Sequence, residues 1–178
     1  TGTKITNVHF PSTLEEIGDD AFANCSSLMC ELSFPRSLKK IGYCAFRQSA
    51  VTGNLVLPDG LEYIGPNAFQ YCRSLSGSLT IPSGITKIED YTFGQSGFNG
   101  ILSLPNSLVE IGKSAFGDNK FKGELHIPDE VTTIANEAFK NNLFNGTLVL
   151  PKELVSLGSY AFSNCRRLSG VVSIPSSI

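Results

Sequence analysis

The sequence predicts a single right-handed solenoid of α/β type, mainly β, with a parallel sheet and short helical turns. Three observations carry that expectation. Eight prolines recur at Pro11, Pro35, Pro58, Pro82, Pro105, Pro128, Pro151 and Pro175, spaced by 24, 23, 24, 23, 23, 23 and 24 residues. Apolar residues alternate with others just before each of these prolines, and a small-then-Phe pair follows at a fixed offset. A unit of about 23 residues cannot bury an apolar face alone, so the units must stack. Seven complete repeats and the start of an eighth then form one domain over 1–178.

Each repeat is expected to contain a strand ending at its proline. One residue before the prolines stand Phe10, Phe34, Leu57, Ile81, Leu104, Ile127, Leu150 and Ile174. Three before stand Val8, Leu32, Leu55, Leu79, Leu102, Leu125, Leu148 and Val172. This period of two marks a short strand burying one face. Proline then stops the ladder because it has no N–H to give. Strands one repeat apart should pair in parallel, at about 4.8 Å per rung, in a body roughly 35–40 Å long.

Past the proline a second apolar pair follows, with Ile17, Ile41, Ile64, Ile88, Ile111, Ile134 and Leu157 as its outer members. A glycine usually comes next (Gly18, Gly42, Gly65, Gly112, Gly158), with Glu89 and Ala135 as exceptions. Then come Ala21-Phe22, Ala45-Phe46, Ala68-Phe69, Thr92-Phe93, Ala115-Phe116, Ala138-Phe139 and Ala161-Phe162. Small then large at a fixed place predicts a tight helical turn. The Ala would lie against the next coil and the Phe would fill the interior.

Repeat length varies with composition. The 24-residue repeats carry Cys25 and Leu28, Cys72 and Leu75, Cys165 and Leu168. The 23-residue repeats lack that cysteine and place an apolar residue earlier, at Val51, Phe98, Phe121 and Phe144. One large side chain is expected to replace two smaller ones, since packed interiors tolerate volume-conserving exchange best. A glycine then turns the chain into the next strand at Gly53, Gly77, Gly100, Gly123, Gly146 and Gly170, with Cys30 in the first repeat.

These columns read L-x-[IL]-P-x-x-[LVI]-x-x-I-G-x-x-A-F-x-x-C-x-x-L. The pattern resembles the BspA-type leucine-rich repeat over essentially the whole chain. Departures are the Cys column, filled in three repeats, and Phe in the later apolar slot of three others. The resemblance implies a bacterial cell-surface or secreted protein, adhesion among its roles, that binds a host or microbial extracellular protein or glycan.

Composition narrows the function further. Lys and Arg total 14 against 16 Asp and Glu, a net charge of −2. Phosphate binding needs a basic surface, so no nucleic-acid partner is expected. No apolar run nears the roughly 18 residues of a transmembrane segment. His9 and His126 share a column five repeats apart, about 24 Å at the rung spacing, too far to share a metal or a proton. Glu15, Glu16, Asp19, Asp20, Asp59, Glu110, Asp129 and Glu130 scatter over outward positions rather than pairing as in a glycosidase. No C-x-x-C or Cys/His cluster has metal-ligand spacing, and Cys30 with Cys44 is the one disulfide left open. No catalytic, cofactor-binding or metal-binding residue is therefore expected, and the chain is not read as an enzyme.

The twelve Phe all belong to apolar columns, while Tyr43, Tyr63, Tyr71, Tyr91 and Tyr160 sit at variable ones. The outward positions form two ladders. Before the proline they pair Asn7, Glu31, Asn54, Ser78, Ile101, Glu124 and Thr147 with His9, Ser33, Val56, Thr80, Ser103, His126 and Val149. After it stand Glu16, Lys40, Tyr63, Lys87, Glu110, Thr133 and Ser156. Neither ladder names a ligand. The chain stops at Ile178 within a repeat and shows no polar cap, so it is expected to be part of a longer protein or to associate end to end. The expected function is a non-enzymatic recognition module using an extended face; a structural spacer presenting other domains is the alternative.

Overall fold

The computed structural model describes residues 4–176 and 178. Counted from its proline, coil 1 spans 11–34, coil 2 35–57, coil 3 58–81, coil 4 82–104, coil 5 105–127, coil 6 128–150 and coil 7 151–174. The chain is a parallel β-solenoid of about seven turns. Its most regular strands lie after the proline, not before it. They are Glu16–Ile17, Lys40–Ile41, Tyr63–Ile64, Lys87–Ile88, Glu110–Ile111, Thr133–Ile134 and Ser156–Leu157. Each pairs in parallel with the same column of a neighbouring coil, as Lys40 does with Tyr63 and Glu110 with Thr133. Coils 1–3 form one such sheet and coils 4–7 another.

Before the proline the expected burial alternation is present. Leu55, Leu79 and Leu125 are buried between exposed neighbours. Paired backbone in this column is sparse, however. Leu79–Thr80 pairs with Leu102–Ser103, and Ser33 bridges Val56. Further paired backbone lies at the corner glycines themselves: Gly53–Asn54 pairs with Leu75–Ser76, and Leu143–Thr147 pairs with Lys122–Gly123 and Arg167–Ser169. Gly53, Gly77, Gly123, Gly146 and Gly170 turn the chain there with φ between +74° and +86°.

The expected helical turns are a correction: no helix forms among the described residues. Two residues per coil, nine and thirteen past the proline, adopt the left-handed conformation. They run from Asp20 and Asn24 in coil 1 to Tyr160 and Asn164 in coil 7, with φ of 48–62°. A right-handed helix cannot pass through such residues. Instead, alternate amides point along the stack. The N–H groups of Asp20, Phe22 and Asn24 donate to Tyr43, Ala45 and Arg47 carbonyls at 2.8, 2.7 and 2.7 Å. The turns thus bond coil to coil as strands do, which offsets roughly 1–3 kcal/mol of strain per left-handed residue.

The interior follows the Phe column. Phe22, Phe46, Phe69, Phe93, Phe116, Phe139 and Phe162 stack with centroids 5.2–5.7 Å apart and planes within 11°. Phe98, Phe121 and Phe144 make a second, shorter stack, edge-on to the first at 75–80°. Both geometries suit the ring quadrupole and contribute about 0.5–1.5 kcal/mol per pair beyond burial. At Gly65 the coils approach so closely that a Cβ would lie 2.6 Å from the Tyr43 nitrogen, so no side chain fits.

The exchange expected between repeat lengths is also corrected. The large side chain replaces the leucine alone, because the cysteine column is never empty. Cys25, Ser49, Cys72, Ser96, Asn119, Asn142 and Cys165 all stand fourteen residues past the proline, and all are buried. From coil 3 onward each donates to the Phe carbonyl of the preceding coil. Cys72 reaches Phe46 O at 3.0 Å, Ser96 reaches Phe69 O at 2.6 Å, and Asn119 reaches Phe93 O at 2.8 Å. Asn142 and Cys165 repeat the contact on Phe116 and Phe139 at 2.9 and 3.2 Å. A buried carbonyl wants a donor, and three residue types supply one.

Pro66, outside the proline series, has an equally local reason. In its column Asp19, Asp90 and Asn136 accept from the next coil's N–H, on Tyr43, Lys113 and Ser159. Coil 2 offers Tyr43 there, with no carboxylate or amide, and Pro66 in coil 3 has no N–H to satisfy.

Candidate functional site

Both outward ladders are exposed essentially as expected, yet neither gathers chemistry. On the pre-proline face the large apolar residues Val56, Ile101 and Val149 stand in alternate coils and make no continuous patch. On the post-proline face charges pair, mostly along the axis and once within a coil. Lys40 meets Glu16 at 2.8 Å, Lys39 meets Glu62 at 3.2 Å, and Lys87 meets Glu89 at 3.3 Å and Glu110 at 3.6 Å. The hydrogen bond and charge of Glu89, then those of Glu110, raise the Lys87 ammonium above its ordinary value, so it stays charged. Exposed pairs of this kind contribute little stability.

The residues weighed for catalysis stay apart. His9 and His126 are exposed on the same face, five coils apart. The carboxylates Glu15, Glu16, Asp19, Asp20, Asp59, Glu110, Asp129 and Glu130 remain outward. Among the described residues no group of three His, Cys, Asp or Glu side chains could hold a metal, and no disulfide forms. Cys30 and Cys44 therefore stand as separate thiols. Burial pushes the Cys72 thiol up to about 12, well away from the thiolate a nucleophile needs.

The turn edge is different. Tyr71 holds a left-handed φ of 62°, and the Arg73 N–H folds back onto the Tyr71 carbonyl at 2.9 Å. This local bond takes up the extra residue of coil 3. In coil 4 the equivalent N–H, on Gly97, crosses to Cys72 O at 3.2 Å. Coil 3 thus bulges at Arg73, and the shorter coils beside it leave recesses. One, of about 440 Å³, is lined by Arg47, Gln48, Tyr71 and Arg73. The other, of about 460 Å³, lies between Arg73, Gln95, Asn99, Asp118 and Lys120, with Gly97 in its lining. Arg47 and Arg73 both approach the Tyr71 ring, their Cζ atoms 5.8 and 5.6 Å from its centroid. Lys113 sits 5.5 Å from the Tyr91 centroid further along the same edge.

Sequence reasoning missed this cluster. It noted Tyr71 and Tyr91 as variable and passed over Arg47 and Arg73, which lie 26 residues apart. The available signal was the extra residue of coil 3, whose place is here.

No helix among the described residues is long and apolar enough to cross a membrane. No curated protein matches the chain closely enough to serve as a relative. A leucine-rich repeat protein from Bacteroides ovatus shares the fold, with a TM-score of 0.61 and 24% identity, over 89% of this chain and 46% of that one. The pneumococcal vaccine antigen PcpA aligns with a TM-score of 0.60 and 24% identity, over 93% of this chain and 44% of its own. The chain thus spans less than half the length of either solved structure. None of these likenesses indicates an enzyme family. The family model for the BspA type leucine rich repeat region matches residues 1–122 and 100–178 in six copies, and the chain belongs to that family.

Proposed function

We propose that the chain is a non-enzymatic, adhesin-like recognition segment of a longer cell-surface or secreted protein, holding a protein or glycan against its extended outer surface. One observation carries this reading. The interior repeats its Phe in all seven coils, whereas the exterior gathers Arg47, Tyr71 and Arg73 at one place. Tyr and Arg dominate binding hot spots, and nothing in the packing of the spine demands them there. The greater length of both solved neighbours supports a segment within a longer array. That one neighbour is a vaccine antigen supports an exterior location.

The labelled chain, applied to an array of extracellular-matrix proteins and glycans, should give saturable binding to at least one of them. A blank array would overturn the recognition role and leave the solenoid as a spacer. Antibody to the chain should label intact cells. Labelling only after lysis would overturn the location.

A further inference from the structure

We infer that the turn edge of coils 2 to 5 is a binding site for an acidic polysaccharide, its carboxylate or sulfate seated on Arg47 and Arg73. The inference rests on the recognition reading and names its ligand class. Two guanidinium groups converge on one Tyr71 ring. Among the described residues neither takes part in an ion pair, although Asp and Glu outnumber Lys and Arg by 16 to 14. The Arg47 Nε donates to Gln70 Oε1 at 3.3 Å, which sets the plane of the group and leaves its terminal nitrogens available. Planar forks with spare donors match the oxygen geometry of a carboxylate or sulfate. Two like charges lining one recess favour a shared counter-charge, and the Tyr71 ring supplies only part of one.

The adjoining recess says what carries the acid. Beside Arg73 it is lined by the amides Gln95, Asn99 and Asn119 and the charged Asp118 and Lys120. Neighbouring donors and acceptors of this kind suit the vicinal hydroxyls of a sugar ring. Among the described residues no aliphatic side chain lines either recess, so the Tyr71 ring is the one large apolar surface offered. Behind this lining the buried Asn119 Nδ2 donates to the Phe93, Phe116 and Gly117 carbonyls, which fixes the wall of the recess.

The test is calorimetric titration of the chain with polygalacturonate, dextran sulfate, neutral dextran and poly-glutamate at one salt concentration. At least one acidic polysaccharide should bind, neutral dextran should not, and poly-glutamate should bind at least tenfold more weakly. Arg47→Gln combined with Arg73→Gln should weaken polysaccharide binding roughly 10- to 100-fold, the usual range for lost charged hydrogen bonds. Arg36→Gln with Lys152→Gln removes the same charge elsewhere and should leave affinity within about twofold. Arg73→Lys keeps the charge and loses the planar fork, so it should weaken binding roughly tenfold. Equal losses from the two charge-matched pairs would overturn the site, as would failure of both acidic polysaccharides to bind. Poly-glutamate binding as tightly would assign the groove to acidic peptides instead. If the arginine double variant still binds the array like the parent chain, the acid site falls while the recognition reading stands.

Discussion

Coils 3 and 4 have the same interior and different outsides. Phe69 and Phe93 stack at 5.7 Å, and left-handed residues fall at matching places, Asn67 and Tyr71 in one coil, Tyr91 and Gln95 in the other. Cys72 and Ser96 donate to the same kind of carbonyl. Yet coil 3 is one residue longer, and that residue is expressed at the surface. Arg73 turns back on its own coil and projects, while Gly97 reaches across to its neighbour and carries no side chain. The comparison teaches where this fold can vary. A length change at the turn edge leaves the stack intact and reshapes the outside, so recognition can evolve there without cost to the spine.

The sharpest test of the shared interior is Phe93→Ala beside Phe69→Ala. Both should lose about 3–5 kcal/mol in urea unfolding, because the spine is indifferent to coil length. A large difference between them would break the comparison. The next effect depends on pH. The Cys72 thiol is raised by burial from its ordinary 9.0 to about 12, so the folded chain favours the neutral form. Its stability contribution is complete below pH 9 and is lost as pH rises from there toward 12. Cys72→Ser should remove that part of the alkaline slope, since Ser96 already performs the same donor role in coil 4. Ser96→Ala should cost about 1 kcal/mol by deleting one donor to Phe69 O, a carbonyl that the Cys72 N–H still serves. Smallest of all is Arg73→Ala, which should leave the urea midpoint unchanged while altering binding. A shifted midpoint would mean that the bulge supports the stack.

The parts legible from sequence were those in which one residue type does one job. Proline recurs at the end of each unit, and the period was readable from it; Phe recurs because a ring of that size continues the stack. The donor column was hidden because Cys, Ser and Asn look unlike one another although each supplies a donor. The left-handed turns were hidden for the opposite reason. Asn24, Asp118 and Asn141 suit that conformation, but Cys44, Tyr91 and Glu137 adopt it too, forced by bonds to the next coil rather than by preference. The site was least legible because it is a property of neighbours. Arg47 and Tyr71 meet only after two coils stack, and Arg73 joins them only because coil 3 has a residue to spare.

The coil-to-coil hydrogen bonds give the molecule a particular response to load. They run along the stacking axis, so tension applied through the chain ends opens them a few at a time instead of shearing a whole sheet. Each coil that peels away releases about 80 Å of chain, since an extended residue spans roughly 3.3–3.6 Å. The next coil then presents the same Phe ring and the same bonds. A segment tethering a cell to a surface would lengthen in equal steps under flow, keeping its remaining coils, and any ligand seated on them, in place.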